Sequence, residues 1–537
     1  MPAIPPGRDE VAGAHRGFVA GVAAITGGLA AFLLLRLDAL PPHEDETLAF
    51  FVSRRSLGDV LGIVIGERGG APLHYLLGHL MLQLDPSLTS LRLISVAFAV
   101  ASMPLVAILG ARLTDRRTAL LATLVTAVSW ATLYHGIYAR MYSLFLFTST
   151  LSIVLLLRAL ERDTVGRWVA WSAATLALLA TQPYGALVLA AQVVYVGALR
   201  LRRPLPLRNA LVALVAVVVL AGPLWRTYLL LASRFEVGLG ERNGSSLGSP
   251  VDVVEYVWAV MGDYVGGWDW VTAIVAAVGL LGLVVLARTR PESAILAGCV
   301  AGVPLVAFVA ARSGAGAALE TRHLIFVLPF FMTALVLGLE RLTRPAGRLS
   351  AAALAAAIAL VLAAQITWGL HRTPWLYEGE PDARTRARAE AAAWLAATSR
   401  PDDVLFGYEP TYLDAREKGA PFGDIFIPRA DPNLALEALE DAGAPLGRGV
   451  WVLDASDQLD TDLVRLSVPE LSPGPGFEAR AFGPFLVVRT RSPTGTVENY
   501  LEETLRVQEL SAELGIGDAG RNRVTAEEAL RRLLSSP

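Results

Sequence analysis

Four consecutive ionisable residues, His43, Glu44, Asp45 and Glu46, directly follow the first long apolar run of the sequence. Three adjacent carboxylates repel one another unless a cation or a hydrogen-bond donor compensates for their charge. A carboxylate held in such a place can act as a general base or bind a metal ion. The plainer alternative, the charged start of a solvated loop, fits these residue types equally well. We predict a catalytic role for Asp45, Glu46 and Glu44.

A second group of polar side chains lies in residues 70–80, Gly-Ala-Pro-Leu-His-Tyr-Leu-Leu-Gly-His-Leu. His74 and His79 are five residues apart, so they do not share one face of a helix, which argues against a two-histidine metal site. The apolar stretch 71–84 is shorter than the roughly 20 residues that cross a bilayer. We predict a helix at the membrane surface whose His74 and His79 contact substrate. The alternatives are an ordinary interfacial helix and a re-entrant helix.

Two arginines stand beside histidine or tyrosine at the boundaries of apolar runs. Arg140 lies close to His135 and Tyr142, and Arg322 is followed by His323. A guanidinium binds phosphate oxygens through two parallel hydrogen bonds, so each place suits a phosphate group. An arginine at a membrane surface can also simply extend its charge into water. We predict that Arg140, His135, Arg322 and His323 bind a phosphate and that Tyr142 contacts the substrate.

The composition indicates what kind of scaffold positions these residues. Of 537 residues, 54% are hydrophobic and 18% are charged, whereas soluble proteins carry about 25% charged residues. This excludes an ordinary cytosolic enzyme, a disordered protein and a nucleic-acid-binding protein. The single cysteine, Cys299, rules out an intramolecular disulfide. The composition therefore predicts a membrane protein with a soluble part attached.

The fold class is predicted to be mainly α, a bundle of about eleven transmembrane helices. Each apolar run approaches the length that a bilayer requires. The runs lie near 18–40, 89–110, 118–133, 142–157, 168–182, 184–199, 210–230, 270–287, 294–311, 323–340 and 350–370. The first connection with the acidic residues (41–88) and the one at 231–269 are long, and long ordered loops tend to be functional.

The distribution of arginine predicts the orientation of the bundle. With a cytoplasmic N-terminus, the segments on the cytoplasmic side hold 17 arginines in 65 residues, and the opposite short loops hold nine in 117. This bias follows the positive-inside rule. We therefore predict a multi-pass protein of the cell membrane whose acidic loops and C-terminal domain are extracytoplasmic.

The sequence after about residue 371 predicts a soluble α/β domain. We divide the chain into a transmembrane domain (1–371), an extracytoplasmic domain (372–495) and a charged helical tail (496–537). Within the α/β domain we predict helices at 383–399 and 432–442, buried strands at 404–408 and 450–453, and an antiparallel hairpin formed by 477–482 and 485–490. A lid or a docking site for an acceptor is the plainest role for this domain.

Taken in order, these motifs resemble those of the GT-C superfamily of polytopic membrane glycosyltransferases. The similarity is to the protein-mannosyltransferase and aminoarabinose-transferase type, which uses polyprenyl-phosphate sugars. Asp45-Glu46 resembles the acidic pair of the first outer loop, and residues 71–79 resemble the Pro-Pro-Leu-Tyr-Tyr-Leu-Leu-Leu-His pattern. The remaining similarities are Leu91-Arg92-Leu93-Ile94-Ser95, Tyr138-Ala139-Arg140-Met141-Tyr142-Ser143-Leu144 and Arg322-His323-Leu324.

The resemblance implies a reaction and its partners. The chain would transfer a sugar from a polyprenyl-phosphate donor, by inverting displacement, to an extracytoplasmic acceptor that is a protein, a lipid or a cell-envelope glycan. Membrane lipids would surround it, and no nucleic acid would take part. Where some relatives carry a second acid for a divalent metal (Mg or Mn), this chain has Met141 or Tyr142, so no metal ligand or other cofactor is assigned.

Three other functions remain compatible with the composition. One is a transporter or flippase of lipid-linked sugars, although the apolar runs carry few central charges and show no internal repeat. Another is a cell-envelope polysaccharide polymerase or ligase. The third is a sensor or scaffold whose outer domain binds a ligand.

Overall fold

The computed structural model describes residues 8–235, 250–310, 320–378, 383–429, 431–455, 463–516 and 519–535. The chain forms two compact units. The helical unit comprises Met1–Leu40, Val64–Leu231 and Asn243–Glu378, and the sheet unit comprises Pro41–Ile63, Ala232–Arg242 and Gly379–Pro537.

The helical unit consists of long apolar helices and short connectors. Its α-helices are Arg8–Leu35, Leu73–Leu84, Leu88–Leu113, Arg116–Val128, Trp130–Ile137, Tyr142–Glu161, Val165–Thr181, Gly185–Arg202, Arg208–Leu220, Gly222–Phe235, Pro250–Val265, Asp269–Thr289, Pro291–Ala310, Leu328–Thr343, Ser350–Arg372 and Pro374–Glu378. A π-helix spans Gly62–Glu67, and 3₁₀ segments span Thr321–Val327 and Arg344–Leu349. The helix predicted in residues 71–84 is confirmed as Leu73–Leu84.

Among the described residues, seven helices are long and apolar enough to cross a membrane, or up to nine if each of two bent pairs is one span. Each pair bends by 55°, at Val128/Trp130 and at Leu220/Gly222. The predicted number of eleven is not confirmed. The helix Val165–Thr181, predicted as a span, has only 17 residues. The two spans predicted at 323–340 and 350–370 lie in one continuous apolar segment, Thr321–Arg372. The mainly α fold with several membrane-spanning candidates is confirmed.

Two helices of the bundle approach each other closely through glycine. In Asp269–Thr289, a Cβ added to Gly282 would overlap the carbonyl oxygen of Ala334. In Leu328–Thr343, a Cβ added to Gly338 would overlap the carbonyl oxygen of Val278. Such reciprocal small residues allow helices to pack backbone to backbone in a membrane, where apolar burial gives no driving force.

In its described residues, the sheet unit contains a five-stranded sheet with the strand order β2-β1-β3-β5-β4. The strands are β1 (Val404–Phe406), β2 (Phe426–Ile427), β3 (Gly449–Asp454), β4 (Phe477–Phe482) and β5 (Phe485–Thr490). β1 pairs in parallel with both β2 and β3, and β5 pairs antiparallel with β3 and β4. The predicted hairpin is confirmed in its limits and pairing.

Helices pack around the sheet. They are Glu44–Ser53, Leu57–Leu61, Ala383–Thr398, Pro410–Glu417, Pro432–Ala442, Val468–Leu471, Val497–Glu513 and Ala519–Ser535, with a 3₁₀ turn at Leu463–Arg465. The predicted helices at 383–399 and 432–442 are confirmed. The segment predicted as a separate tail packs on the sheet, since Tyr500 stacks on Trp451 at 5.5 Å between ring centroids.

The helix Glu44–Ser53, called the acidic helix below, also belongs to the sheet unit. We had assigned residues 41–88 to the transmembrane domain, and the contacts divide that segment differently. Phe51 packs on Phe426 of β2 with a ring-centroid distance of 4.2 Å, and Arg55 donates a hydrogen bond of 3.0 Å to the carbonyl oxygen of Asp424. These apolar and polar contacts attach the acidic helix to the edge of the sheet.

Candidate active site

The first turn of the acidic helix is fixed by a capping box. His43 is the N-cap, and its Nδ1 accepts a hydrogen bond of 3.1 Å from the backbone N–H of Asp45. The carboxylate of Glu46 accepts a hydrogen bond of 3.2 Å from the backbone N–H of His43. Glu46 is 0% exposed, so its carboxylate serves the helix end. Asp45 is half-buried in the same turn, and its catalytic role remains a prediction.

Glu44 is compensated by a cation from the sheet. Arg429, two residues after β2, forms ion pairs with Glu44 through Nη2 and with Glu409 through Nη1, the latter at 2.8 Å. Arg429 thus bridges a carboxylate of the acidic helix and a carboxylate that follows β1. The positive end of the helix dipole also favours acids in the first turn. The compensation that adjacent carboxylates require therefore comes from protein groups.

The sequence interpretation missed Glu409. It is buried three residues after β1, and burial raises its pKa from 4.5 to about 7. The nearby carboxylates of Glu44 and Asp454 raise the pKa further, while Arg429 and Arg388 lower it. The signal in the sequence was weak. Glu409 precedes Pro410 after an apolar strand, and an acid before proline is also common at the start of an ordinary helix.

This pKa predicts a pH-dependent stability. The folded-state pKa of Glu409 lies above its ordinary value of 4.5. Its contribution to the free energy of unfolding is therefore fully present below about pH 4.5 and is lost as the pH rises through 7. Glu409→Gln is expected to remove this dependence, which amounts to roughly 1–3 kcal/mol. Thermal unfolding of the full chain in detergent between pH 5 and 8 measures it. Glu440→Gln, at an exposed position, should retain the wild-type slope, and an equal slope in Glu409→Gln would contradict the prediction.

In the helical unit, the structure brings Arg322, Tyr142 and His135 together, and we call these three the arginine–aromatic cluster. The guanidinium of Arg322 lies 5.1 Å from the ring centroid of Tyr142. The rings of His135 and Tyr142 are 4.9 Å apart. His135 is 3% exposed, and its Nδ1 has no hydrogen-bond partner among the described residues. Such a buried polar atom beside a cation is suited to meet an anionic ligand.

The segment that carries Arg322 is capped by its own side chains. Glu320 forms an ion pair with Arg322, and Nδ1 of His323 accepts a hydrogen bond of 3.1 Å from the N–H of Glu320. The ring of His323 packs on Tyr184 at 4.5 Å. His323 therefore stabilises the start of the 3₁₀ segment, and its predicted contact with phosphate remains a prediction.

Arg140 lies in a turn that is supported from two sides. Ser95 donates hydrogen bonds to the carbonyl oxygens of Tyr138 at 2.7 Å and Arg140 at 3.3 Å. Nε2 of His74 lies 3.2 Å from the carbonyl oxygen of Ala139, so this nitrogen carries the proton. Burial, and then the charge of Arg140, lower the pKa of His74 to about 3. His74 is thus a neutral, buried support for the Arg140 turn.

His79 is not brought onto the same face as His74. Both lie in the helix Leu73–Leu84, and five residues correspond to a rotation of about 140° around the helix axis. The two side chains therefore point to different sides of this helix. A contact of His79 with substrate remains a prediction.

Sequence reasoning also missed the helix Pro250–Val265, which we call the clamp helix. We had predicted a long loop at 231–269; residues 236–249 lie outside the described part, and 250–265 are helical because apolar residues repeat at helical spacing. Its side chains hold the segment around Arg322 through three hydrogen bonds. Tyr256 and Tyr264 donate to the carbonyl oxygens of Glu320 at 3.1 Å and Leu324 at 2.6 Å. Asp263 accepts a hydrogen bond of 2.6 Å from the side-chain hydroxyl of Thr321.

The acid of the clamp helix has its own electrostatic environment. Asp263 is buried, and desolvation raises its pKa, while the hydroxyl of Thr321 and the charge of Arg372 lower it. Nε of Arg372 lies 3.6 Å from Asp263. The guanidinium of Arg372 in turn lies over the ring of Trp130 at 5.1 Å. The carboxyl group is thus held in place for its contact with the Arg322 segment.

Removing one clamp contact is expected to weaken donor binding. Tyr264→Phe leaves the carbonyl oxygen of Leu324 without this partner, which costs about 1–3 kcal/mol. Because this segment carries Arg322, we expect a higher KM for a phosphate-bearing donor. Tyr228→Phe is the matched control, since Tyr228 donates to the carbonyl oxygen of Leu179 elsewhere in the unit. It should lose stability with an unchanged KM, and an equal KM for both variants would contradict a positioning role.

The described residues do not form a metal site of the usual kind. No group of three or more His, Cys, Asp or Glu side chains among them could hold a metal ion. The carboxylate of Glu46 is engaged by the helix cap and that of Glu44 by Arg429. These two carboxylates are thus already engaged by protein groups, and no step is derived through a divalent metal.

Solved structures with a similar fold are glycosyltransferases. ArnT from Cupriavidus metallidurans in the apo state superposes with a TM-score of 0.57 at 16% identity, over 89% of this chain and 98% of that one. The same protein bound to undecaprenyl phosphate gives 0.55 at 15% identity, over 88% and 98%. The oligosaccharyltransferase of Archaeoglobus fulgidus in complex with Zn and sulfate gives 0.50 at 12%, over 80% and 67%.

These likenesses identify the architecture of the chain. At 12–16% identity they show the fold alone, and that fold is the GT-C fold which the sequence motifs predicted. Together with the long apolar helices, it makes the chain an integral membrane protein. No family model matches the sequence, and no curated protein matches it.

Proposed function

We propose that this protein is a membrane glycosyltransferase that transfers a sugar from a polyprenyl-phosphate donor to an extracytoplasmic acceptor. The observation that carries the proposal is the arginine–aromatic cluster, set within a GT-C fold. It combines a guanidinium, a ring that supports it and a buried imidazole nitrogen, which together suit a phosphate on a lipid. The fold neighbour bound to undecaprenyl phosphate supports this choice of donor.

The phosphate of the donor is assigned to the arginines. Arg322 and Arg140 bind its oxygens, with His135 donating from Nδ1 in the appropriate tautomer. As the bond to the sugar breaks, the phosphate changes from a diester with one charge to a monoester with two. Fixed cations therefore interact more strongly with the transition state than with the bound donor, which lowers the barrier.

Asp45 is assigned the role of general base. It takes the proton from the hydroxyl of the acceptor, and the hydroxyl oxygen forms a bond with the anomeric carbon. The bond between that carbon and the phosphate oxygen breaks, and its electron pair leaves with the polyprenyl phosphate. Attack from the face opposite the leaving group inverts the anomeric configuration. Glu46 or Glu44, in the same helical turn, orients Asp45 or the acceptor.

We propose the orientation that the arginine distribution predicts. The N-terminus and the arginine-rich connectors are cytoplasmic, and the sheet unit with the acidic helix is extracytoplasmic. A donor with its sugar in the outer leaflet and an acceptor in the cell envelope would both be available on that side.

The decisive experiment measures transfer by the purified full chain in liposomes. Radiolabelled polyprenyl-phosphate mannose or arabinose is supplied together with extracted envelope acceptors. The expected result is label in the acceptor with one polyprenyl phosphate released per sugar. Movement of intact donor between leaflets without cleavage would instead establish a flippase. The absence of both transfer and movement would reject the proposal.

A further inference from the structure

The carboxyl ends of β2, β1 and β3 form a topological switch point in the sheet unit. β1 lies between β2 and β3; the chain passes from β1 to β2 on one side and then crosses from β2 to β3 on the other side. In open parallel sheets, the connections that leave a strand in opposite directions create a crevice outside its carboxyl end, and ligands bind there. This crevice is therefore the place in the α/β fold where a functional contact is expected.

Charged side chains converge at these strand ends. Glu409 follows β1 by three residues, Arg429 follows β2 by two, and Asp454 is the last residue of β3. Arg429 pairs with Glu409 at 2.8 Å, and Arg384 pairs with Asp454 at 2.5 Å. The pair of Arg429 with Glu409 is largely buried, whereas Arg384 keeps 42% of its side chain exposed. A buried ion pair is weak evidence for stability, because desolvation offsets its attraction. The largely buried pair at the switch point therefore calls for a functional explanation.

The first turn of the acidic helix lies at this crevice. Arg429 extends from Glu409 to Glu44. Arg388, which is 4% exposed, donates a hydrogen bond of 3.1 Å to the carbonyl oxygen of Pro42, just before the helix. Arg388 and Arg429 therefore hold the two residues Pro42 and Glu44, which lie just before Asp45.

We propose that Arg429 is a positioning residue for the acidic motif, and that the C-terminal domain is thereby part of the catalytic machinery and not only a lid or docking module. Arg429 holds Glu44, and through the rigid first turn it sets the direction of the Asp45 carboxylate. Glu409 holds Arg429 from behind. This inference rests on the proposed function, in which Asp45 accepts the proton of the acceptor.

Gly407 provides an independent way to move Arg429 without removing its charge. Gly407 has a φ of +76°, and an added Cβ would lie 2.7 Å from Cδ and Nε of Arg429. Gly407→Ala must therefore displace the arginine. Gly419 has a φ of +91° and open space around it, so Gly419→Ala introduces the same kind of backbone strain without touching Arg429. The two variants form a matched pair.

The test compares Arg429→Gln, Arg429→Lys, Gly407→Ala and Gly419→Ala in the full chain in liposomes. For Arg429→Gln and Gly407→Ala we expect kcat to fall about 10- to 100-fold, since a small misplacement of a reacting group has effects of that size. The donor KM should change less than about twofold, because phosphate binding is not involved. Arg429→Lys should recover part of kcat, and Gly419→Ala should resemble wild type.

Two further measurements separate positioning from general damage. The acidic limb of the pH–rate profile should shift in Arg429→Gln, because the surroundings of the base change. Amide hydrogen exchange in residues 44–53 should accelerate in Arg429→Gln and Gly407→Ala and not in Gly419→Ala. Unchanged kcat, pH limb and exchange in an Arg429→Gln enzyme whose wild type is active would overturn the inference.

The exchange measurement also keeps this inference distinct from the proposed function. If the wild type transfers no sugar, the function is rejected, and faster exchange in Arg429→Gln would still establish that Arg429 orders the acidic helix. Equal exchange in the two alanine variants would reject the contact itself.

Discussion

Asp45→Asn is expected to lower sugar transfer by about 10²- to 10⁴-fold, the usual contribution of a general base. The amide has nearly the shape of the carboxylate, and it cannot accept the proton of the acceptor hydroxyl. The backbone N–H of residue 45 would still bond to His43, so the helix start should survive. The measurement is transfer from labelled donor in liposomes, together with thermal unfolding to confirm that the variant is folded.

Asp59→Asn is the matched control for that substitution. Asp59 lies in the short helix Leu57–Leu61 of the same segment, is exposed, and accepts a hydrogen bond of 2.7 Å from the hydroxyl of Ser56. An asparagine can keep that bond through its oxygen, so activity should stay near wild type. Near-normal transfer by Asp45→Asn, or an equal loss in the control, would reject the assignment of the base.

Arg322→Gln is expected to lower kcat/KM for the donor by about 10²- to 10³-fold. The substitution removes a charge that opposes the growing charge on the leaving phosphate, and it also removes the contact with the ring of Tyr142. Arg322→Lys should recover only part of the loss, since an ammonium group supplies charge without the planar pair of donors. Steady-state kinetics with varied donor concentration measure both effects.

Arg348→Gln controls for the loss of a cation from the helical unit. Arg348 is exposed in the 3₁₀ segment Arg344–Leu349, away from the arginine–aromatic cluster in sequence. Its removal should leave kcat and KM unchanged. If Arg322→Gln neither raised KM nor lowered kcat, the phosphate would have to be bound by other groups.

Strong local patterns made parts of the fold predictable. The hairpin 477–490 combines an alternating segment and an apolar segment with a Gly-Pro turn, and its strands agree residue by residue with the prediction. Apolar runs identified the long helices, because a bilayer requires that length. The GT-C fold followed from several short motifs in order. The number of spans could not be predicted in the same way. In bent pairs such as Arg116–Val128 with Trp130–Ile137, the sequence does not indicate where one span ends.

Long-range contacts were not predictable from these patterns. The acidic motif was recognised, and its packing on the sheet was not, because the pairing of Arg429 with Glu44 leaves no local signature. The clamp helix was interpreted as part of a long loop, and the contacts that its tyrosines make with a distant part of the chain were not predicted. His74 looked like a substrate ligand because polarity alone does not distinguish a buried support from an exposed contact.

The attachment of the acidic helix to the sheet has a consequence for the order in which the protein is made. Arg55 and Asp424 are separated by 369 residues, and a ribosome needs roughly 20 to 70 s to add that many at 5–20 residues per second. During this interval the acidic segment has already emerged while its packing partner does not yet exist. The proposed base is therefore ordered only after the chain beyond residue 424 has been synthesised and folded. Incomplete chains in the membrane would be inactive.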